Sequence, residues 1–143
     1  MQIRIVEVGP RDGLQNISTI VPTAVKVELV RRLETAGLRT IELTSAVSPK
    51  AIPQLSDHRK LLADSSVQTL IAQSQPQLQL PVLVPNRKGL DIVRKYGVKE
   101  VAVFVSATEG FSRANIKCGV EEGLQRAKEV ADLCIPMGIK VRG

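Results

Sequence analysis

The chain has 143 residues, 43 % hydrophobic and 24 % charged, which is ordinary globular usage and excludes a disordered polymer. Its longest purely apolar run, Val101 to Val105, is far short of the ~20 residues of a membrane helix, so no membrane partner is expected. Twenty Lys and Arg against fourteen Asp and Glu give a net charge of +6, while two Phe, one Tyr and no Trp leave no stacking platform for nucleic acid. The basic excess is therefore either a solvated surface or a site for a small phosphate-bearing ligand.

In chain order, the β-branched alternation of residues 2–8 predicts a strand, stopped by Gly9-Pro10-Arg11-Asp12-Gly13. A helix follows, entered through Pro22 at its first position, with Val25, Leu29, Leu33 and Ala36 on one face and Gly37 as its left-handed end. Residues 38–43 form the next strand. The Gln- and Ser-rich segment 63–79 reads as the loose tail of a helix and a surface loop. A strand at 79–84 precedes a short helix starting after Asn86; strand 98–105 follows Tyr96-Gly97-Val98. A long helix carries Val120, Leu124, Ala127, Ala131 and Cys134 on one face, and Met137-Gly138-Ile139 leads into strand 139–142.

Strand starts near 2, 38, 79, 98 and 139 recur about every 34 residues, the size of a βα unit. The expected class is α/β with about five parallel strands and intervening helices. An open doubly wound sheet and a β/α barrel compete, but the first loop has no G-x-G-x-x-G, and a full barrel needs ~250 residues. Residues 1–143 read as one domain, just over half a TIM-type barrel. Cys118 and Cys134 flank the long helix, ~24 Å apart at helical rise, beyond the ~7 Å a disulfide allows. Reduced thiols fit an intracellular chain, and MQIRIVEV shows neither a signal nor a transit peptide.

In either architecture ligand chemistry belongs beyond the carboxyl ends of the strands. Arg11, Asp12 and Gln15 follow the first strand; Glu42, Ser45 and Lys50 lie at the end of the second and after it; Arg87 and Lys88 follow the third. Alternation puts Ile41 and Leu43 toward the helices and Glu42 into the barrel mouth, where a carboxylate is costly unless paired, and Arg11 is its natural partner. These residues alone are equally consistent with a structural ion pair beside an Asp-Gly turn.

The stretch IVEVGPRDGLQN strongly resembles the first strand and loop of the hydroxymethylglutaryl-CoA lyases. IELTSAVSPK, PVLVPNRKG and the run from ATEGFSRANIKC to EEGLQRAKE resemble later parts of the same family in the same order. The Arg-Asp pair followed by a strand-two Glu also marks a wider group of barrel metallolyases, including isopropylmalate and homocitrate synthases. The resemblance implies cleavage of 3-hydroxy-3-methylglutaryl-CoA to acetyl-CoA and acetoacetate with Mg²⁺ or Mn²⁺. It implies Asp12 as metal ligand, Arg11 on a substrate or product oxygen, Glu42 holding Arg11 and helping proton transfer, and Gln15 and Ser45 as polar supports. Lys50, Arg87, Lys88, Arg113 and Lys117 are candidates for coenzyme A phosphates.

The family's His-x-His metal pair, its Asn ligand and its acidic Cys are expected beyond the fifth strand, past Gly143. His58, Cys118 and Cys134 do not correspond to them. The alternatives are a non-catalytic half-barrel that binds acyl-CoA or a partner subunit, and an acyl-CoA condensing synthase. Open barrel edges imply self-association. The compartment stays open, mitochondrial by family expectation.

Overall fold

Residues 3–74 and 77–143 are described by the structure, a computed structural model; position 2 of the expected first strand and positions 75–76 of the expected loop lie outside them. Three regular strands, β1 (Val82–Leu83), β2 (Glu100–Ala102) and β3 (Lys140–Arg142), form a parallel sheet in that order. Two further extended segments, 3–8 and 39–45, continue it through isolated parallel bridges, Glu7 to Ile41, Thr40 to Gln79 and Ser45 to Leu83. The five expected strands are thus present in sequence order, but the first two are extended segments rather than regular strands, and the fourth, expected over 98–105, is regular only over Glu100–Ala102.

The third strand is also shorter than residues 79–84, and Pro81 explains it. Its carbonyl accepts from Leu43 N at 2.9 Å, but it has no N–H to donate, so pairing resumes only at Val82. Ile3 and Ile5 are well exposed, 82 % and 72 %, and among the described residues only Glu7 bridges from the first segment.

Helices α1 (Thr23–Thr35), α2 (His58–Ala63), α3 (Ser65–Gln73), α4 (Arg87–Val93), α5 (Glu109–Ile116) and α6 (Val120–Cys134) intervene. Residues 65–73 are not a loose tail: α3 is regular, buries Val67 and Ile71, and is capped by Asp64, whose carboxylate accepts from Ser66 N and Val67 N. Pro22 stands one position before α1 rather than at its first residue. Gly97 and Gly138 take φ of 71° and 69° where a helix gives way to a strand, a left-handed turn only glycine makes without strain.

Two helix faces are rotated from expectation. In α1 the buried side chains are Lys26, Val27 and Val30, while Val25 is 55 % exposed and Leu29 and Leu33 are half-buried. In α6 the buried residues are Gly123, Val130 and Cys134, the last on the expected face, with Leu124 exposed. Each helix turns the stripe that reaches the sheet inward, where Ile41, Leu43, Val82, Val84 and Val101 form the centre of the core.

The rotation of α1 buries a charge. Lys26 is 2 % exposed, and its Nζ donates to Gln54 O and to Asp57 Oδ1, both at 2.6 Å. Asp57 Oδ2 accepts from Thr23 Oγ1 at 2.7 Å, so both carboxylate oxygens are used. Beside it, buried His58 donates Nδ1–H to the Leu55 carbonyl at 3.1 Å. Gln54 Nε2 in turn donates to Ile17 O at 2.9 Å, fastening the loop after Arg11-Asp12 to the start of α2.

Close packing of α4 rests on Gly89. A Cβ there would lie 3.0 Å from Pro85 Cδ and 3.2 Å from the Ala46 carbonyl oxygen. Alanine ordinarily favours a helix over glycine by about 1 kcal/mol, but overpacking of this kind costs about 1–3 kcal/mol. Gly89→Ala is expected to lower the urea midpoint; an unchanged or raised midpoint would show that the Pro85 turn yields freely.

Candidate active site

The first loop winds into a wide turn, Gly9–Gly13, of π-helical pitch. The N–H groups of Arg11, Asp12 and Gly13 converge on the Val8 carbonyl at 3.0, 2.7 and 3.3 Å, which aims the two charged side chains off the end of the sheet. Glu42 comes from the neighbouring segment between Ile41 and Leu43, both buried in the core, so alternation directs it to the concave side. Its side chain is wholly buried.

Arg11 Nε donates to Glu42 Oε1 at 2.5 Å and Nη1 donates to Asp12 Oδ1 at 2.7 Å. Glu42 Oε2 accepts from Nη2 of Arg142 on β3. A fully buried carboxylate thus has both oxygens on guanidinium groups, the pairing such burial demands. Arg142 was not singled out by sequence reasoning. The signal was there, because period two in Lys140-Val141-Arg142 puts both basic residues on one face.

These residues form part of the wall of a cavity of about 820 Å³ at the carboxyl end of the sheet, shared with Gln15, Leu83, Asn86, Phe111, Lys117 and Arg126. Arg11, Asp12, Gln15 and Glu42 are brought together there. Ser45 is not: it is fully buried, and its hydroxyl donates to Leu83 O at 3.3 Å. Of the five basic residues considered for phosphates, Lys117 alone lines the cavity. Arg113 pairs with Glu109 at 3.2 Å, while Arg87, Lys88 and Lys50 are exposed.

Asp12 has a half-exposed carboxylate, but both oxygens of Glu42 are committed to arginines and His58 is buried against Leu55 O. Among the described residues no group of three His, Cys, Asp or Glu side chains stands together for a metal. Both cysteines are free and buried, and burial pushes the Cys134 thiol up, so it stays protonated as a packing residue of α6. Among the described residues no helix is long and apolar enough to cross a membrane.

Parallel segments in chain order, intervening helices and a charged cavity at the strands' carboxyl ends define a partial β/α barrel. The HMGL-like family model matches residues 2–143, and the chain belongs to that family. It is 47 % identical over 142 residues to the mitochondrial hydroxymethylglutaryl-CoA lyase of Bos taurus, covering 99 % of this chain and 42 % of the bovine protein. The HMG-CoA lyase of Brucella melitensis superimposes with a TM-score of 0.88 at 42 % identity, over 99 % of this chain and 47 % of that one. An HMG-CoA lyase from A. baumannii, solved with coenzyme A and 3-methylmalate, gives 0.82 at 29 % identity over 96 % of this chain and 43 % of that one. The chain therefore spans less than half the length of these relatives.

Proposed function

We propose that this segment carries the Arg11–Asp12–Glu42 part of a carbon–carbon lyase site that cleaves 3-hydroxy-3-methylglutaryl-CoA to acetyl-CoA and acetoacetate. The observation that carries the reading is the Arg11–Glu42 pair, held against Asp12 in the wall of the cavity. In such a cleavage the tertiary hydroxyl loses its proton and its carbon becomes the ketone of acetoacetate. The electron pair of the broken bond passes to the thioester fragment as an enolate, and a proton delivered to carbon gives acetyl-CoA.

Negative charge grows on the thioester oxygen as the bond breaks, and a fixed guanidinium is the group to meet it. Arg11 has one nitrogen on Glu42 and another on Asp12, leaving Nη2 without a protein partner among the described residues. Glu42 keeps that group in place. With both its oxygens on arginines it acts in this reading as an orienting group first, and a role in proton transfer is secondary. Gln15 would contact substrate from the same wall. Ser45 would act only by shaping the backbone, and coenzyme A would meet Lys117 among the basic residues.

The reading includes a divalent cation, Mg²⁺ or Mn²⁺, which supplies electrophilic activation when bound. Asp12 would be one ligand. The described residues do not form that centre by themselves, because one carboxylate falls well short of the ~6 ligands Mg²⁺ takes.

The test is acetoacetate release from 3-hydroxy-3-methylglutaryl-CoA. The 143-residue chain alone is expected to release none; the same residues joined to the remaining half-barrel of the bovine relative are expected to release it. Release by the short chain, lost to a chelator and restored by Mg²⁺, would overturn the incompleteness assigned to its site. A joined chain that bound acyl-CoA without cleaving it would favour a binding module, and one that condensed acyl-CoA with a keto acid would favour a synthase.

A further inference from the structure

Arg142 reaches Glu42 from the far edge of the sheet. On β3 it pairs in register with Ala102 of β2, as Lys140 pairs with Glu100 and Val141 with Val101. Val101 and Val141 pack with the core, so alternation puts Glu100, Ala102, Lys140 and Arg142 on the concave side. Ala102 ends at its methyl group and leaves the space above β2 open. Through that space Arg142 reaches past β2 and β1 to Oε2 of Glu42 on segment 39–45. Its Nε is buried with no protein partner among the described residues.

A carboxylate gripped on one oxygen can rotate about its terminal bond. Gripped on both, it cannot. Arg142 takes Oε2 while Arg11 takes Oε1, so the far arginine sets the plane of the carboxylate and with it the direction from which Arg11 is held. We propose that Arg142 is a positioning residue: acting through Glu42, it fixes the guanidinium of Arg11 toward the cavity, and the small side chain of Ala102 is what lets it do so. The catalytic consequence rests on the lyase reading above; the positioning itself does not.

Nitrogen-15 NMR of the arginine Nε–H groups in the 143-residue chain tests the positioning without any turnover. The Arg11 Nε–H, bonded to a buried carboxylate, is expected to exchange slowly with water. Arg142→Gln should speed that exchange about tenfold or more by letting the bond open. Arg142→Lys keeps a donor for Oε2 and should retain most of the protection. Ala102→Leu leaves Arg142 in place but fills its path, and should reproduce the loss. Unchanged Arg11 exchange in both Arg142→Gln and Ala102→Leu would overturn the proposal.

In the joined chain, Arg142→Gln should lower kcat about 10- to 100-fold, the cost of a small misalignment, with KM within about twofold. Unchanged kcat would remove the catalytic consequence. A joined parent chain that cleaves nothing overturns the lyase reading alone, and the exchange measurement still decides the positioning.

Discussion

Asp57→Ala is expected to cost about 3–5 kcal/mol of stability, because it strands the buried ammonium of Lys26 with a single carbonyl partner. Breaking half of a buried pair is costlier than removing all of it, since two charges that leave together also remove their desolvation penalty. Lys26→Met combined with Asp57→Ala should therefore recover most of the loss. Urea unfolding of the two single variants and the double variant gives the coupling directly. If the double variant were as unstable as the sum of the singles, the pair would not be acting as a unit. Damage in Asp57→Ala should also reach the site, because Gln54, which accepts from Lys26 through its backbone, holds Ile17 in the loop that follows Asp12.

Arg11→Gln in the joined, catalytically complete chain is expected to lower kcat by about 10²–10³-fold, the usual loss when one donor to a developing oxyanion is removed. KM should move far less. The guanidinium meets little charge on the ground-state thioester and full charge on the enolate, so its loss falls on the transition state. A steady-state comparison of kcat and KM checks this, and equal kcat in the two proteins would remove Arg11 from the chemistry. Glutamine can keep one hydrogen bond to Glu42 but carries no charge, which separates the electrostatic part from the steric part.

Arg11, Asp12 and Glu42 were legible in the sequence because each is fixed by local rules. Glu42 alternates between two apolar residues, and Arg11-Asp12 sits in a Gly-Pro…Gly turn that must end a strand. Arg142 follows the same alternation, yet its importance depends on a neighbour with almost no side chain and on a carboxylate three extended segments away. The inward face of α1 was unreadable for a related reason. Val25 and Leu29 make as good a helical stripe as Val27 and Val30, and what decides between them is a lysine paired with Asp57. In α3 the composition misled: Ser65 and Gln73 are exposed, but Gln68 turns inward and donates to the Leu62 and Tyr96 carbonyls, while Val67, Ile71 and the Asp64 cap hold the helix.

The order of pairing in the sheet also bears on how the polypeptide assembles. Among the described residues, extended segments bond only to their neighbours in chain order. Among the described residues no strand has to wait for a distant stretch of chain or be inserted between two others already in place. A nascent polypeptide leaving the ribosome can thus lay down one βα unit on the edge of the last, with loop-closure cost limited to a single unit at a time. The exposed edge at any moment is then a template for the next addition, and growth from the amino end proceeds by repetition of one step.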